Sequence, residues 1–162
     1  MAFDAFIKID GIEGESSDDK HSGWIEATSY SYGLSQAVSS TASSSGGASA
    51  ERATFQDFIF NKHVDKASPL LALACADGTH INTITVELCR AGTEKVKFME
   101  YKLSNCIISS ISNGGGGADF PSESLAVNFG KINWAYTVQK REGGGASGNV
   151  ASGWDLQKNS KM

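Results

Sequence analysis

The sequence predicts a mainly β domain, a closed barrel or tightly packed sandwich, carrying one short helix. Three observations carry that expectation. Apolar and polar residues alternate with period two along most of the chain. Two of the alternating segments slip phase midway, as bulged or bent strands do. One segment alone has helix punctuation, with Ser68-Pro69 before an apolar run and Asp77-Gly78 after it.

Taken in order, the first strand is Phe3-Asp4-Ala5-Phe6-Ile7-Lys8-Ile9-Asp10, with apolar residues at 3, 5, 7 and 9 and charges at 4, 8 and 10. Phe6 alone is out of phase. Residues 24–34 follow, with Trp24, Glu26, Thr28, Tyr30 and Tyr32 on one parity and Ile25, Ala27, Ser29 and Ser31 on the other. The aromatics suit the core, which leaves Glu26 ill placed on that face. A strand over 53–62 precedes the helix, expected at about 68–77 with Ser68 as its N-cap. The helix is apolar nearly all round, so it is expected to plug a core or a barrel end.

Residues 81–90 alternate cleanly, Ile84, Val86 and Leu88 against Thr83, Thr85 and Glu87. A strand over 95–111 slips phase between Phe98 and Met99, and one over 123–140 slips at Gly130. A last strand is expected at 153–158. The Gly- and Ser-rich stretches 37–49, 113–118 and 143–153 read as loops or linkers.

With 162 residues, 40% of them hydrophobic and 20% charged, the composition is that of one globular domain over 1–162. A net charge of −4 disfavours nucleic acid as a partner. The longest apolar run, Leu70 to Ala76, is too short to cross a bilayer, so no membrane insertion is expected. The N-terminus has no leader pattern, and Cys75, Cys89 and Cys106 do not suggest a disulfide framework, so folding is expected in the cytoplasm. Charge is uneven: residues 1–26 hold seven acids and two bases, residues 131–162 five bases and two acids. Two solvated surfaces explain this. So does a polar subunit whose acidic region meets the basic region of a neighbour, a contact that closes rings or runs into filaments.

The usual constellations for catalysis are missing. His21, His63 and His80 are scattered, and no CxxC or HExxH occurs, so no metal site is expected. The glycine runs lack the Lys-Ser/Thr of a phosphate loop and the GxGxxG of a nucleotide fold, which points to no cofactor. GxSxG is absent, and the three cysteines read as small buried hydrophobes. Glu13, Glu15, Asp18 and Asp19 read as solvated surface without calcium-loop spacing. No enzyme is expected.

A set of collinear strings resembles the Hcp family, the haemolysin-coregulated tube proteins of bacterial type VI secretion systems. They are Met1 to Ile9 with Gly14-Glu15-Ser16, Asp18 to Glu26, and Ser29-Tyr30-Ser31-Tyr32-Gly33-Leu34-Ser35-Gln36. Further along come Phe60-Asn61-Lys62, Asp65 to Leu70, Ile107 to Gly117, Glu123 to Ile132, and Gly153-Trp154-Asp155-Leu156. Tyr30 and Tyr32 depart from the tryptophan or phenylalanine often found at those places.

The resemblance implies a β-barrel-like pair of antiparallel sheets with one flanking helix. It further implies homohexameric rings that stack into a hollow tube, driven by a contractile sheath, tipped by a spike protein and able to hold effector proteins. Secretion without a signal peptide follows from the same resemblance. Within that frame Ser29 and Ser31 are expected to face the lumen and its effectors, an ordinary outer solvent face being the alternative. Ser39, Ser40, Ser43, Ser44, Ser45, Gly46, Gly47, Glu51 and Arg52 are expected in the ring-stacking loop, because a Gly/Ser segment has too little apolar area for a permanent interface. A small-ligand-binding β-barrel is the competing reading of the same alternation.

Overall fold

The computed structural model describes residues 2–38, 50–140 and 146–162. Its elements are β1 (Phe3–Ile9), β2 (Ile25–Ala27), β3 (Ser29–Ser31), β4 (Leu34–Val38), β5 (Ala50–Phe55), β6 (Phe58–His63) and α1 (Ser68–Asp77). These are followed by β7 (Ile81–Arg90), β8 (Lys97–Gly114), β9 (Ser122–Asn128), β10 (Lys131–Gln139), β11 (Ala146–Asp155) and β12 (Ser160–Lys161).

Two antiparallel sheets result, one in the order β12-β11-β10-β8-β7-β1-β2 and one in the order β3-β6-β9-β8. β8 belongs to both. Its first half pairs with β7 and β10, and its second half, from Ile107, pairs with β9. On the far side, β2 and β3 are one stretch of chain broken at Thr28, whose N–H donates to the Asn61 carbonyl at 2.7 Å. Pairing therefore runs from β2 through β1, β7, β8, β9 and β6 back to β3, which makes the domain barrel-like. β4 and β5 form a separate two-stranded ribbon.

The phase slips mark where strands bend. Leu88 faces Met99 but Cys89 faces Lys97, so Phe98 is the extra residue of a bulge. At Gly130 the chain ends β9 and enters β10 on the other sheet. The Gly130 N–H is shared between the Ser104 and Asn105 carbonyls, and a Cβ there would stand 3.2 Å from that of Asn105. Asn105, at φ 55°, is the turning point of β8 between the sheets.

The interior is filled by Ile7, Ile25, Phe58, Phe60, Leu71, Ile84, Leu103, Ile108, Leu125 and Ile132, each under 2% exposed or close to it. Tyr30 and Tyr32 stack on Phe58 at 5.8 and 5.3 Å, so these two aromatics of the second strand segment do face the core. Cys89 and Cys106 are buried, as expected, and Cys75 is half-buried.

Four local expectations need correction. Residues 24–32 do not keep one parity: Ile25 is buried on β2, Tyr30 points inward on β3, and the faces exchange at Thr28. Glu26 is thus an outward residue of the first sheet, with no conflict to resolve. Ser68 is not the N-cap; Ala67 is, with helical angles and no side-chain cap, because the Ser68 hydroxyl is engaged elsewhere. The helix stop is as expected, Gly78 adopting φ 69°. α1 packs Leu71 and Ala74 into the main core, as expected, but its opposite face lies on water, where Leu70 and Leu73 stay 48% and 58% exposed.

The fourth correction concerns the C-terminal Gly/Ser stretch. Residues 146–155 form β11, paired with β10 from Lys131↔Asp155 to Gln139↔Ala146, whereas composition suggested a loop. Its row Val150, Ser152, Trp154 sits beside Tyr136, Trp134 and Ile132, and that lateral packing overrides weak intrinsic propensity. The strand then stops at Asp155, whose carboxylate accepts the Gln157 and Lys158 N–H groups, so 156–158 is a turn and not strand.

Candidate assembly surfaces

The outer face of the four-stranded sheet is small and polar. Ser29 is opposite Asn61, Asn61 opposite Ser124, and Ser124 opposite Ser112. The next row reads Ser31, Ile59, Ala126 and Ser110. A bulge at Ser109 makes this possible, because it turns Ser110 and Ser112 outward where unbroken alternation would have turned them in. Asn61 Nδ2 donates to Ser29 Oγ at 2.7 Å, while Ser31 Oγ is exposed. The two rows contain no charge. Asp57, at the rim, is held by Ser109 Oγ at 2.6 Å and Asn128 Nδ2 at 3.1 Å.

Among the described residues, two of the uncovered apolar areas stand out. One is the outer side of α1, where Pro69, Leu70, Ala72, Leu73 and Ala76 are exposed with no charged neighbour on the helix before Asp77. The other is the end of the β10–β11 pair. There Tyr136, Val138 and Val150 are 45%, 41% and 68% exposed on the face that, farther along, carries Ile132 and Trp134 into the core. A monomer in water leaves such areas open at a cost; a second protein surface removes it.

Beneath α1 lies a buried ionic network. Lys62 and Glu123, cross-strand partners on β6 and β9, are both fully buried and joined Nζ to Oε1 at 2.5 Å. Lys62 Nζ also donates to Asp65 Oδ1 at 2.7 Å and to the His63 carbonyl at 3.0 Å. Ser68 Oγ donates to Glu123 Oε1 at 2.6 Å and accepts the Asp65 N–H at 3.0 Å. This explains why Ser68 does not cap the helix: its hydroxyl ties the helix start to both strands. Among the described residues Glu123 Oε2 has no partner.

A second small core sits on the outside of the larger sheet. Phe6, the residue out of phase in β1, is 1% exposed there, stacked under the His21 ring at 4.1 Å and 3°. His21 is itself 3% exposed. Nδ1 lies 2.7 Å from Asp18 Oδ2 and Nε2 lies 2.6 Å from Glu87 Oε2. Lys95 closes the cluster, bonding Asp18 at 2.9 Å and standing 5.0 Å over the Phe6 ring. Cys89 Sγ is 3.9 Å from Nε2, so His21, Glu87 and Cys89 bring ligand-type atoms within 4.8 Å of one another.

That cluster is built for holding the 13–24 segment down, and neither metal nor nucleophile chemistry fits it well. The 2.6 Å contact between Nε2 and Oε2 is a hydrogen bond. Two ligands of one tetrahedral zinc stand about 3.3 Å apart. The Cys89 thiol is fully buried and pushed up to about 11, by burial first and then by the Glu87 and Asp18 charges, whereas a nucleophile needs the opposite shift.

Asp18 titrates in a consequential way. Its hydrogen bond to His21, then that to Lys95, holds the carboxyl down to about 2. An acid depressed by folding stabilises the fold above its unfolded value of about 4 and loses that contribution as the pH falls toward 2. Asp18→Asn should therefore flatten the melting temperature between pH 4 and pH 2. A variant that loses stability over that window as steeply as the parent would count against this assignment.

Comparison with known proteins matches this architecture from end to end. The family model described as "Type VI secretion system effector, Hcp" matches residues 6–136. The chain belongs to the Hcp family. Protein hcp1 of Pseudomonas aeruginosa is 36% identical over 161 residues, 98% of each chain. A solved structure described as a type six secretion system protein superposes at a TM-score of 0.93, with 32% identity, covering 99% of this chain and 100% of that one. Hcp1 from Salmonella typhimurium superposes at 0.83, with 30% identity over the whole of both chains.

The fold class implied by the resemblance is the one found, a mainly β, Hcp-like pair of antiparallel sheets with a flanking helix over Ser68–Asp77. In this Hcp chain Ser29 and Ser31 stand together on the polar outer face. Of the expected stacking residues, Ser39, Ser40, Ser43, Ser44, Ser45, Gly46 and Gly47 lie outside the described residues, Glu51 is placed only as backbone of β5, and Arg52 is exposed on β5. Sequence reasoning passed over Lys62, Glu123, Phe6 and His21. Two signals were present: Phe6 broke an otherwise regular alternation, and Lys62 and Glu123 occupy inward parity on their strands.

Proposed function

We propose that this Hcp protein is a structural subunit of the type VI secretion tube, not an enzyme. Six copies close into a ring, rings stack into a hollow tube, and the uncharged outer face of the four-stranded sheet forms its wall. The observation that carries this reading is the pair of uncharged rows, one of hydroxyls and an amide from Ser29 to Ser112 and one from Ser31 to Ser110 with Ile59 and Ala126 between its hydroxyls. Such a wall holds a folded cargo by scattered hydrogen bonds without a deep apolar grip, which suits capture followed by release. The small-ligand alternative has less support, since the interior is occupied by Phe58, Phe60 and Leu103.

The stacking contact belongs in this reading to the segment joining β4 and β5. The contractile sheath, a tip spike and effector proteins are the remaining partners, with assembly in the cytoplasm and export that uses no leader. Native mass spectrometry should give a dominant hexamer at micromolar concentration. Ser31→Arg should keep that hexamer and reduce the cargo recovered with it. A clean monomer would sink the tube reading, and full cargo retention by Ser31→Arg would take Ser31 off the wall.

A further inference from the structure

The strand order fixes where the uneven charge of the sequence ends up. One row of strand partners crosses the larger sheet from β12 to β1: Lys161↔Trp154↔Ile132↔Leu103↔Ile84↔Ile9. At one end stands the β11–β12 corner with Lys158 and Lys161, both exposed and without an ion pair among the described residues. At the other end the chain leaves Ile9 through Asp10, whose N–H bonds the Thr83 carbonyl, and reaches Glu13. Asp10 has no ion pair among the described residues, and Glu13 meets only Lys66, at 3.9 Å on the surface.

Asp10 and Glu13 rim an open groove of about 660 Å³ that also presents Lys8, Lys66, Trp24 and Leu70. Lys8 stands 6.0 Å from the Trp24 ring and Lys66 lies toward Glu13, so Asp10 is the acid of the groove without an ion pair among the described residues. We infer that this groove receives the β11–β12 corner of the next copy, so that Lys158 and Lys161 of one subunit meet Asp10 and Glu13 of its neighbour. The inference rests on the ring reading and deepens it by naming the contact that closes the ring. Opposite charges at the two ends of one row give a head-to-tail contact, which is heterologous by construction. A self-complementary contact would instead oppose like charges. Trp24 and Leu70 supply the apolar floor, and the charges set register and suppress wrong partners.

The test uses charge reversal on each side, read by native mass spectrometry with one variant mass-labelled. K158E/K161E and D10K/E13K should each raise the concentration needed for rings by about 100-fold, since like charges across a contact are costly. Mixed together, the two variants should regain hexamers in a strict 3:3 ratio, because each repairs the junction the other breaks on both of its sides. If the wild type itself is not hexameric, the ring reading fails and this contact with it. If the wild type is hexameric and K158E/K161E is equally so, the contact is overturned while the ring reading stands. Failure of the mixture to regain rings would also overturn it. Should a reversal variant not fold, K158Q/K161Q serves: rings of the wild type should weaken as salt is raised, and those of the variant should lose most of that dependence. An unchanged salt dependence would overturn the contact.

Discussion

Lys62→Met should destabilise the protein by about 3–5 kcal/mol, the usual cost of breaking a buried pair from one side. Lys62 and Glu123 are fully buried, and Glu123 Oε2 already lacks a partner among the described residues. Removing the ammonium leaves a whole carboxylate under α1 with the Ser68 hydroxyl as its one remaining donor among the described residues. The pair is less valuable than that number suggests, since two charges in the interior lose hydration that their attraction barely restores. K62M/E123L should therefore recover most of the loss. Urea unfolding of the parent and the two variants at neutral pH decides the matter. A cost under about 1 kcal/mol for the single change, or a double variant worse than the single one, would mean the network is wetter than its geometry implies.

Phe6→Ala should cost a similar amount, about 3–5 kcal/mol, for a different reason. The ring is the floor of the outer cluster: His21 lies flat on it, Lys95 stands over it, and Trp24 packs edge-on against His21 at 4.8 Å. Without the ring, the imidazole keeps its two carboxylates but loses what holds it in plane. Amide exchange over residues 13–24 should accelerate well beyond the change in global stability, and Trp24 fluorescence should shift toward that of an exposed indole. Exchange that quickens evenly across the chain would show instead that Phe6 belongs to the main core.

The sequence exposed the strands well because most of them have one wet face. Alternation in 3–10 and 81–90 located β1 and β7, and both phase slips turned out to be bends between or within sheets. Residues whose environment depends on distant chain were opaque. Ser68 looked like a helix cap because Ser-Pro before an apolar run is helix punctuation, yet its hydroxyl is claimed by Glu123 fifty-five positions away. Residues 146–152 read as a linker because small residues carry no β signal of their own, and only the neighbouring β10 makes them a strand. The parity exchange at Thr28 was equally invisible, since it depends on one N–H finding the Asn61 carbonyl. On the outer face of the four-stranded sheet, Ser29 and Ser31 share a side by the alternation of β3 itself and Ser124 by that of β9, whereas Ser110 and Ser112 required the bulge at Ser109 to bring them alongside.

The pairing of β1 with β7 has a consequence for synthesis. Phe3 waits for Arg90, and Ile9 for Ile84, so β1 waits longer for its long partner than any other described strand does. At translation rates of about 5–20 residues per second that delay is on the order of ten seconds. Throughout it an alternating apolar strand has both edges bare, and β2, its only early partner, is three residues long. Pairings this distant in sequence also slow the closing step itself. The nascent chain is therefore the stage at which this protein is most open to misassembly, and the yield of native subunits should rise when translation is slowed after β7 rather than before it.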